Sequence, residues 1–368
     1  MTAANAVLYA RQPLEFVGRR QGPKPVTLHV LPTTLLADGK WLSEVEEFTG
    51  HQTSGGGIEF AAWLGSDLAL ARATSVWGPG FDPFLRAARK RYMDFGRIQN
   101  VPDLYYDALA ALFETPNPSA PPFLQGEAWK SKSLQAALAG WAQFRHTWEL
   151  NAHFNEVTFG AVVRPAGFVE PNPEFFRRAG VAINFIVDRL VEQDAFAARS
   201  GDDEEQAPRN RALWTRWRRL ERLAQEMESA ARKQLHGEEL DRSEGGWLSG
   251  YGEILAQIMG YEGTSWENPR DDAPRWTTIS HEERSDQNLA VAVGRPRALY
   301  VLYPWNGVPI LCRGAVMSYY EYWSKDRLTD TEWQSRLDQS PPAQPDWIRP
   351  LLPSNPAAGA PPSAIPGS

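Results

Sequence analysis

Four side chains near the middle of the chain are spaced so that they could bind a metal ion. His146, Glu149, His153 and Glu156 follow one another at intervals of three, four and three residues, so on a continuous helix they would project from one face. Two imidazoles and two carboxylates can hold a divalent transition metal such as zinc or iron. The His-Glu-x-x-His signature of zinc proteases is absent, and the alternative is a polar helix face that contacts only solvent.

Other carboxylates could complete or replace this site. Glu170 is a candidate ligand beside His146, and Glu127 with Glu170 could act as a pair of carboxylates in acid–base catalysis. A second acidic cluster, from His281 to Asp286, could also supply ligands, although a charged loop is the simpler interpretation. The sequence alone does not show that any of these groups meet in space.

A glycine run and a single cysteine set further limits. Ser54-Gly55-Gly56-Gly57 could bind an anion through backbone amides, but no Gly-Lys-Ser/Thr follows it, so it is not a P-loop. Cys312 is the only cysteine. The chain therefore has neither an internal disulfide framework nor a cysteine-based zinc cluster.

The composition is typical of a globular protein. The 368 residues carry a net charge of −7, which argues against a general nucleic-acid binder, because such proteins usually have a basic excess. Fifteen tryptophans predict a core rich in tryptophan more readily than a ligand-binding surface. No apolar run is long enough to span a bilayer, and residues 1–27 lack the pattern of a signal peptide. The compartment stays open.

Apolar spacing predicts a mostly helical body, which would position these candidate groups. The clearest helix opens at Pro208 and runs to Leu235, where Gly237 provides a stop. Asn172 and Pro173 are typical of a capped helix start. Further helices are predicted over residues 58–73, 81–95, 102–114, 127–155, 173–191 and 246–259.

The sequence pattern changes near Asn288. Residues 289–293 and 298–303 are rich in β-branched and aromatic side chains, and Asn306-Gly307 separates them from a partner strand over 309–320. Asn-Gly between two apolar runs is a strong hairpin signal. A capping box formed by Thr329 and Glu332 then predicts a short helix to about Leu337.

These elements predict an α+β fold, with a predominantly α-helical body and a C-terminal antiparallel β-hairpin unit. We expect an irregular N-terminal segment with short strands over residues 1–57 and a helix-rich domain over 58–337, with the β unit at 288–322. Residues 338–368 are rich in proline and alanine, which predicts a disordered tail, with Trp347 and Ile348 available to dock on the domain.

Several stretches, taken in order, resemble an uncharacterised family known as domain of unknown function 3160. They include Pro122–Trp129, Trp141–His146, Gly167–Phe176, Val293–Trp305 and Leu328–Trp333. The resemblance runs from about Phe81 to about Leu337 and suggests the C-terminal portion of a longer protein. Its members are often exported or lipid-anchored prokaryotic proteins.

The resemblance implies no activity, but it directs attention to particular residues. The candidate binding residues Arg145, Glu127, Arg295 and Trp305 lie within the matching stretches. Where the family usually has Asp-Thr after Arg145-His146, this chain has Thr147-Trp148, and a His-Thr-Asp-like stretch is replaced by Ser285–Asn288. Both changes remove groups that could bind a ligand.

Two functional hypotheses follow. The favoured one is a non-catalytic binding or assembly protein that contacts a protein partner or a second copy of itself, with no nucleic acid involved. The alternative is a metal-dependent hydrolase-like enzyme that uses His146 with Glu149, His153 or Glu170 and a divalent transition metal.

Overall fold

The structure is a computed structural model of the full chain. It describes residues 36–50, 55–92, 100–148, 167–196, 206–259, 271–282 and 285–352. In this part of the chain a helical body is followed by a three-stranded antiparallel sheet, so the predicted α+β class is confirmed.

The helices have the following bounds. The first five are α1 (Ala37–Phe48), α2 (Gly57–Leu64), α3 (Asp67–Trp77), α4 (Phe81–Tyr92) and α5 (Val101–Ala110), and short 3₁₀ turns follow at Ala111–Phe113 and Pro122–Gln125. The long helices are α6 (Glu127–Trp148), α7 (Pro173–Glu192) and α8 (Gln206–Leu235). Smaller ones are α9 (Arg242–Ser249), α10 (Tyr251–Met259), α11 (Asp330–Gln339) and a 3₁₀ turn at Asp346–Leu351.

Local sequence signals explain where several helices begin and end. The Asn172 side chain accepts a hydrogen bond from the backbone N–H of Phe175, and Pro173 occupies the first position of α7, as predicted. Thr329 and Glu332 form the predicted capping box at the start of α11. Gly237 has a φ of +74°, a conformation that favours glycine, and it follows α8.

The core is built around α6, and tryptophan dominates it as predicted. The Phe60 and Trp141 rings stack with centroids 4.5 Å apart, and Trp41 and Trp63 are fully buried beside them. The sequence predictions missed α1, although Trp41, Leu42 and Val45 bury it against this core. Residues 37–48 therefore correct the expectation of an irregular segment with short strands over 1–57; residues 1–35 lie outside the described part.

The sheet has the order β1-β2-β3, with β1 at Arg275–Glu282, β2 at Gln287–Trp305 and β3 at Val308–Ser324. The predicted Asn306-Gly307 turn joins β2 to β3, and both residues have positive φ values, +49° and +79°. Such values define the hairpin turn that Asn-Gly favours. Strand β1 was not predicted, and it corrects the expectation that His281 and Glu282 lie in a charged loop.

The two halves of the hairpin differ in their surroundings. The half near β1 is covered on both faces: Val291, Val293 and Tyr319 belong to the main core, whereas Ala290, Ala292 and Tyr320 pack with Trp333 of α11. The far half, Pro296–Trp305 paired with Val308–Met317, extends past β1, which pairs only with Gln287–Val293. We call this far half the hairpin arm.

The tail also differs in part from its prediction. Helix α11 continues to Gln339, and the 3₁₀ turn that follows buries Trp347 and Ile348 in the main core. Trp347 Nε1 donates a hydrogen bond to Gln135 of α6 at 3.3 Å. Ordered structure therefore reaches into the segment 338–368 that was expected to be disordered, because two large apolar side chains offset the cost of ordering it. Residues 353–368 lie outside the described part.

Candidate functional site

His146, the centre of the predicted metal site, contacts the carboxylate of the half-buried Asp330. It lies in the last turn of α6, and its Nε2 is 3.0 Å from Oδ2 of Asp330. Asp330 also accepts hydrogen bonds from Arg275 Nη1 at 3.1 Å and from the backbone N–H of Trp276 at 3.3 Å. The group therefore joins α6, β1 and the start of α11.

The electrostatics of this group fit a structural role. Burial acts to raise the pKa of Asp330, but the hydrogen bond and charge of His146, together with Arg275, lower it overall. A carboxylate that orients a histidine is also an arrangement used in catalysis, but a catalytic histidine needs access to a substrate. His146 is only 6% exposed, so we interpret it as a link between elements.

The other predicted metal ligands do not join His146 in the described residues. Glu170 instead pairs with Lys132 of α6, which lies fourteen residues before His146 on the same helix. At 1.5 Å per residue this separates the two positions by about 21 Å along the helix axis. Glu149 and His153 lie outside the described residues. Within those residues, no group of three or more His, Cys, Asp or Glu side chains is placed to hold a metal ion.

Arg145, predicted as a binding residue, is buried and serves as a tether for α1. Its Nε donates to Oδ2 of Asp38 at 2.7 Å, and Trp141 Nε1 donates to the same oxygen at 2.9 Å. Both Asp38 and Arg145 are almost completely buried, at 0% and 4% side-chain exposure. The pair bridges 107 positions of sequence, so no local pattern could have predicted it.

The three remaining predicted binding residues lie apart from one another. Glu127 is exposed in the first turn of α6. Arg295 pairs with Asp271 and Asp338, and these hydrogen bonds raise the pKa of its guanidinium. Trp305 lies at the tip of the hairpin arm, where its ring meets the edge of Phe168 at 5.3 Å. The structure therefore does not bring the predicted binding residues into one site.

Two glycines of the predicted anion-binding run, Gly56 and Gly57, donate backbone hydrogen bonds to the chain's own carboxyl groups. The backbone N–H of Gly56 donates to Glu59 at 2.8 Å, and that of Gly57 donates to Glu321 of β3 at 2.8 Å. Tyr319 Oη also donates to Glu321, at 2.5 Å. A Cβ atom at Gly56 or Gly57 would overlap Glu321 or Tyr319. Glycine is therefore required here because the carboxylate approaches the backbone closely.

Glu321 is a carboxyl group with a strongly raised pKa, and the sequence predictions missed it. Burial raises the pKa of its carboxyl group to about 7. The nearby charge of Glu59 acts in the same direction, whereas the hydrogen bonds from Tyr319 and Gly57 act against it. The group is thus partly protonated near neutral pH. The only sequence signal for it was an acidic residue between tyrosines in an otherwise apolar strand.

The hairpin arm carries several large apolar side chains that are exposed. On its inner face, Tyr303 stacks on Phe168 at 4.3 Å and contacts Phe123 at 5.5 Å. The cross-strand pairs Leu302–Leu311 and Pro304–Pro309 lie on the opposite face, next to Tyr300. Tyr300, Leu302 and Leu311 are 61%, 62% and 66% exposed. We call these five residues the outer face of the arm.

Comparison with known proteins assigns the chain to a family. Residues 57–348 match the model of the family described as protein of unknown function DUF3160. The chain belongs to DUF3160. This confirms the resemblance inferred from the sequence, and the match extends to Gly57, which lies before Phe81.

The family assignment does not supply an activity for this DUF3160 chain. No curated protein and no solved structure matches it significantly. Among the described helices, none is both long and apolar enough to cross a membrane. Function must therefore be argued from the chain's own surfaces.

Proposed function

We propose that this DUF3160 chain is a non-catalytic binding or assembly protein, and that the outer face of its hairpin arm is the contact surface. The observation that carries the proposal is the exposure of Tyr300, Leu302 and Leu311 on one face of a paired ribbon. Contiguous apolar patches on a protein surface commonly mark interaction sites.

The design of the sheet supports this proposal. Near β1 the two faces of the hairpin are covered by α6 and α11, and along the arm Phe123 and Phe168 cover Tyr303 on the inner face. The outer face of the arm combines regular pairing with the large exposed side chains of Tyr300, Leu302 and Leu311. A ribbon that projects beyond its sheet can offer its apolar face to a partner.

The two prolines on the outer face favour a specific contact over general aggregation. Pro304 and Pro309 face each other across the ribbon next to the turn. Proline cannot donate a ladder hydrogen bond and is a common device at strand edges that must not recruit further strands. The face is therefore suited to side-chain packing against a partner surface.

The competing proposal, a metal-dependent hydrolase-like enzyme, depends on ligands at Glu149 and His153. Of the proposed ligands, only His146 and Glu170 are described, and each already has its own charged partner, Asp330 and Lys132. The geometry at these two residues therefore gives the competing proposal no specific support.

Charge substitution on the arm tests the proposal. We expect Leu302→Glu with Leu311→Glu to abolish either self-association, measured by sedimentation velocity across a range of concentrations, or capture of a specific partner. Val76→Glu is the matched control, since Val76 is 67% exposed on α3 and distant in sequence from the arm. Association that survives the double substitution, or that Val76→Glu reduces equally, would contradict the proposal.

A further inference from the structure

A groove on the helical body has the composition of a ligand site. It lies where the end of α2 meets α4, α5 and α7, and its volume is about 790 Å³. That volume falls in the range of small-molecule sites, roughly 300–1,000 Å³. Its main lining residues are Arg89, Leu104, Phe113, Arg178, Val181 and Phe185. We call it the arginine groove.

Most of the charge in the arginine groove is already balanced. Arg178 pairs with Asp107 at 3.0 Å, with Glu174 at 2.8 Å and also with Glu114. Arg177, at the same wall, holds Glu174 through two hydrogen bonds. These guanidinium groups are thus occupied by the protein's own carboxylates.

Arg89 differs from the other arginines of the groove. Within the described part of the chain it forms no ion pair or hydrogen bond, and Arg86 is the charged neighbour that most affects it. Partial burial lowers the pKa of its guanidinium, with a smaller contribution from Arg86, while the side chain stays exposed enough to meet a ligand. Its Nη2 lies against the backbone at Gly65, just beyond the C-terminal end of α2, where the helix dipole favours a cation.

We propose that the arginine groove binds a small amphipathic carboxylate, with the carboxylate on Arg89 and the hydrocarbon chain along Phe113, Val181 and Phe185. A guanidinium presents a planar fork of donors that matches the two oxygens of a carboxylate. Phe113 and Phe185 are half-buried and Val181 is 46% exposed. The hydrocarbon chain of the ligand can therefore pack against these three side chains and enter from the solvent side of the groove.

The acids of the groove favour a single negative charge over a phosphate dianion. Asp107 and Glu114 line the same space as Arg89, and burial raises the pKa of Asp107 although Arg178 opposes that effect. A second negative charge on the ligand would approach these carboxylates, and among the described lining residues Arg177 and Arg178 are already paired with carboxylates. One carboxylate, by contrast, matches Arg89, the guanidinium in the groove that has no ion pair within the described residues.

Calorimetric titration of the purified protein with sodium octanoate tests this site. We expect saturable binding of octanoate and none of acetate, which has the charge without the chain. Binding of 1-octanol, which has the chain without the charge, should be weaker by about tenfold or more, the cost of losing a charged hydrogen-bonded pair. Arg89→Gln should weaken octanoate binding by a similar factor, and Val181→Asp should weaken it through charge repulsion.

Arg86→Gln is the matched control, because Arg86 lies one turn away on α4 and pairs with Asp82 at 2.9 Å instead of lining the groove. It should bind octanoate like the wild type. Three results would overturn the proposal: no binding of octanoate, equal binding by the Arg89→Gln variant, or tighter binding of inorganic phosphate than of octanoate. Thermal unfolding of each variant separates loss of binding from loss of the fold. The arm takes no part in this site, so the test is independent of the proposed contact surface.

Discussion

At the scale of single residues, the Asp38–Arg145 ion pair ties α1 to the core helix α6. Both side chains are almost fully buried, and Trp141 shares the same oxygen of Asp38. Removing one member of a buried ion pair leaves the other charge without compensation. The pair is therefore a sensitive point of the fold.

Asp38→Ala should lower the free energy of unfolding by about 3–5 kcal/mol, the typical cost of leaving a buried charge unpaired. Urea denaturation followed by tryptophan fluorescence measures the change. The control is Asp82→Ala, which breaks the ion pair with Arg86. Because the Arg86 side chain is 75% exposed, this variant should lose no more than about 1 kcal/mol of unfolding free energy. Equal costs for the two variants would show that the Asp38–Arg145 pair does not stabilise the protein.

Glu321 makes stability depend on pH in a defined direction. Its pKa in the folded protein is about 7, above the ordinary value of 4.5. Between these two values the folded protein retains a proton that the unfolded chain has released. The favourable contribution of Glu321 to the free energy of unfolding is thus complete below pH 4.5, and it is lost as the pH rises through 7.

In Glu321→Gln this loss should disappear, because the amide is neutral throughout the range. The wild type should lose on the order of 1–3 kcal/mol more unfolding free energy than the variant between pH 5 and pH 8. Chemical denaturation at several pH values measures the difference. Glu127→Gln, at an exposed position, should keep the wild-type slope. A Glu321→Gln variant with that same slope would refute the assignment.

At the scale of secondary-structure elements, the Asn306-Gly307 turn sets the register of the hairpin arm. Gly307 has a φ of +79°, and a Cβ atom there would contact nothing within 4 Å. Gly307→Ala therefore isolates the cost of the backbone conformation, about 1–2 kcal/mol. Hydrogen exchange should become faster across residues 298–315 and stay unchanged across 288–293, which lie between two cores.

Gly314→Ala is the control for this change. Gly314 is in β3 of the same hairpin and also has open space around its Cβ position, but it lacks a positive φ. It should leave exchange in the arm unchanged. If both variants speed hydrogen exchange in the arm equally, or if neither does, the Asn306-Gly307 turn does not set the register of the arm.

Elements were predictable from the sequence where a short local signal fixes the backbone. Asn306-Gly307 and Asn172-Pro173 are such signals, and both predictions are confirmed. Strand β1 was missed because Arg275–Glu282 mixes charged with β-branched residues, so its pairing with β2 decides its conformation. Helix α1 was missed because only a narrow stripe of it is buried.

The candidate sites were less predictable, since their partners are distant in sequence. The sequence showed the ligand character of His146 and Glu170, but their actual partners, Asp330 and Lys132, depend on how α6 packs. The link between Gly57 and Glu321 spans 264 positions. The apolar character of the arm was visible in the sequence, whereas its exposure was not, because exposure depends on how far β2 and β3 extend beyond β1.

At the scale of the whole molecule, the protein combines a tryptophan-rich body with an apolar arm. Trp41, Trp63, Trp141 and Trp333 are fully buried, whereas the outer face of the arm exposes Tyr300, Leu302 and Leu311. The match to the DUF3160 model covers residues 57–348. It therefore includes the arm as well as most of the body.

Site-specific photo-cross-linking tests the proposed contact surface most directly. A photoreactive amino acid in place of Leu302 should give discrete covalent adducts in cells that express the protein, either with a second copy or with one partner. The same group in place of Val76, which is equally exposed but outside the arm, should give none. If position 302 yields no adducts beyond those at position 76, the outer face of the arm is not a contact surface, and the proposed binding function loses its basis.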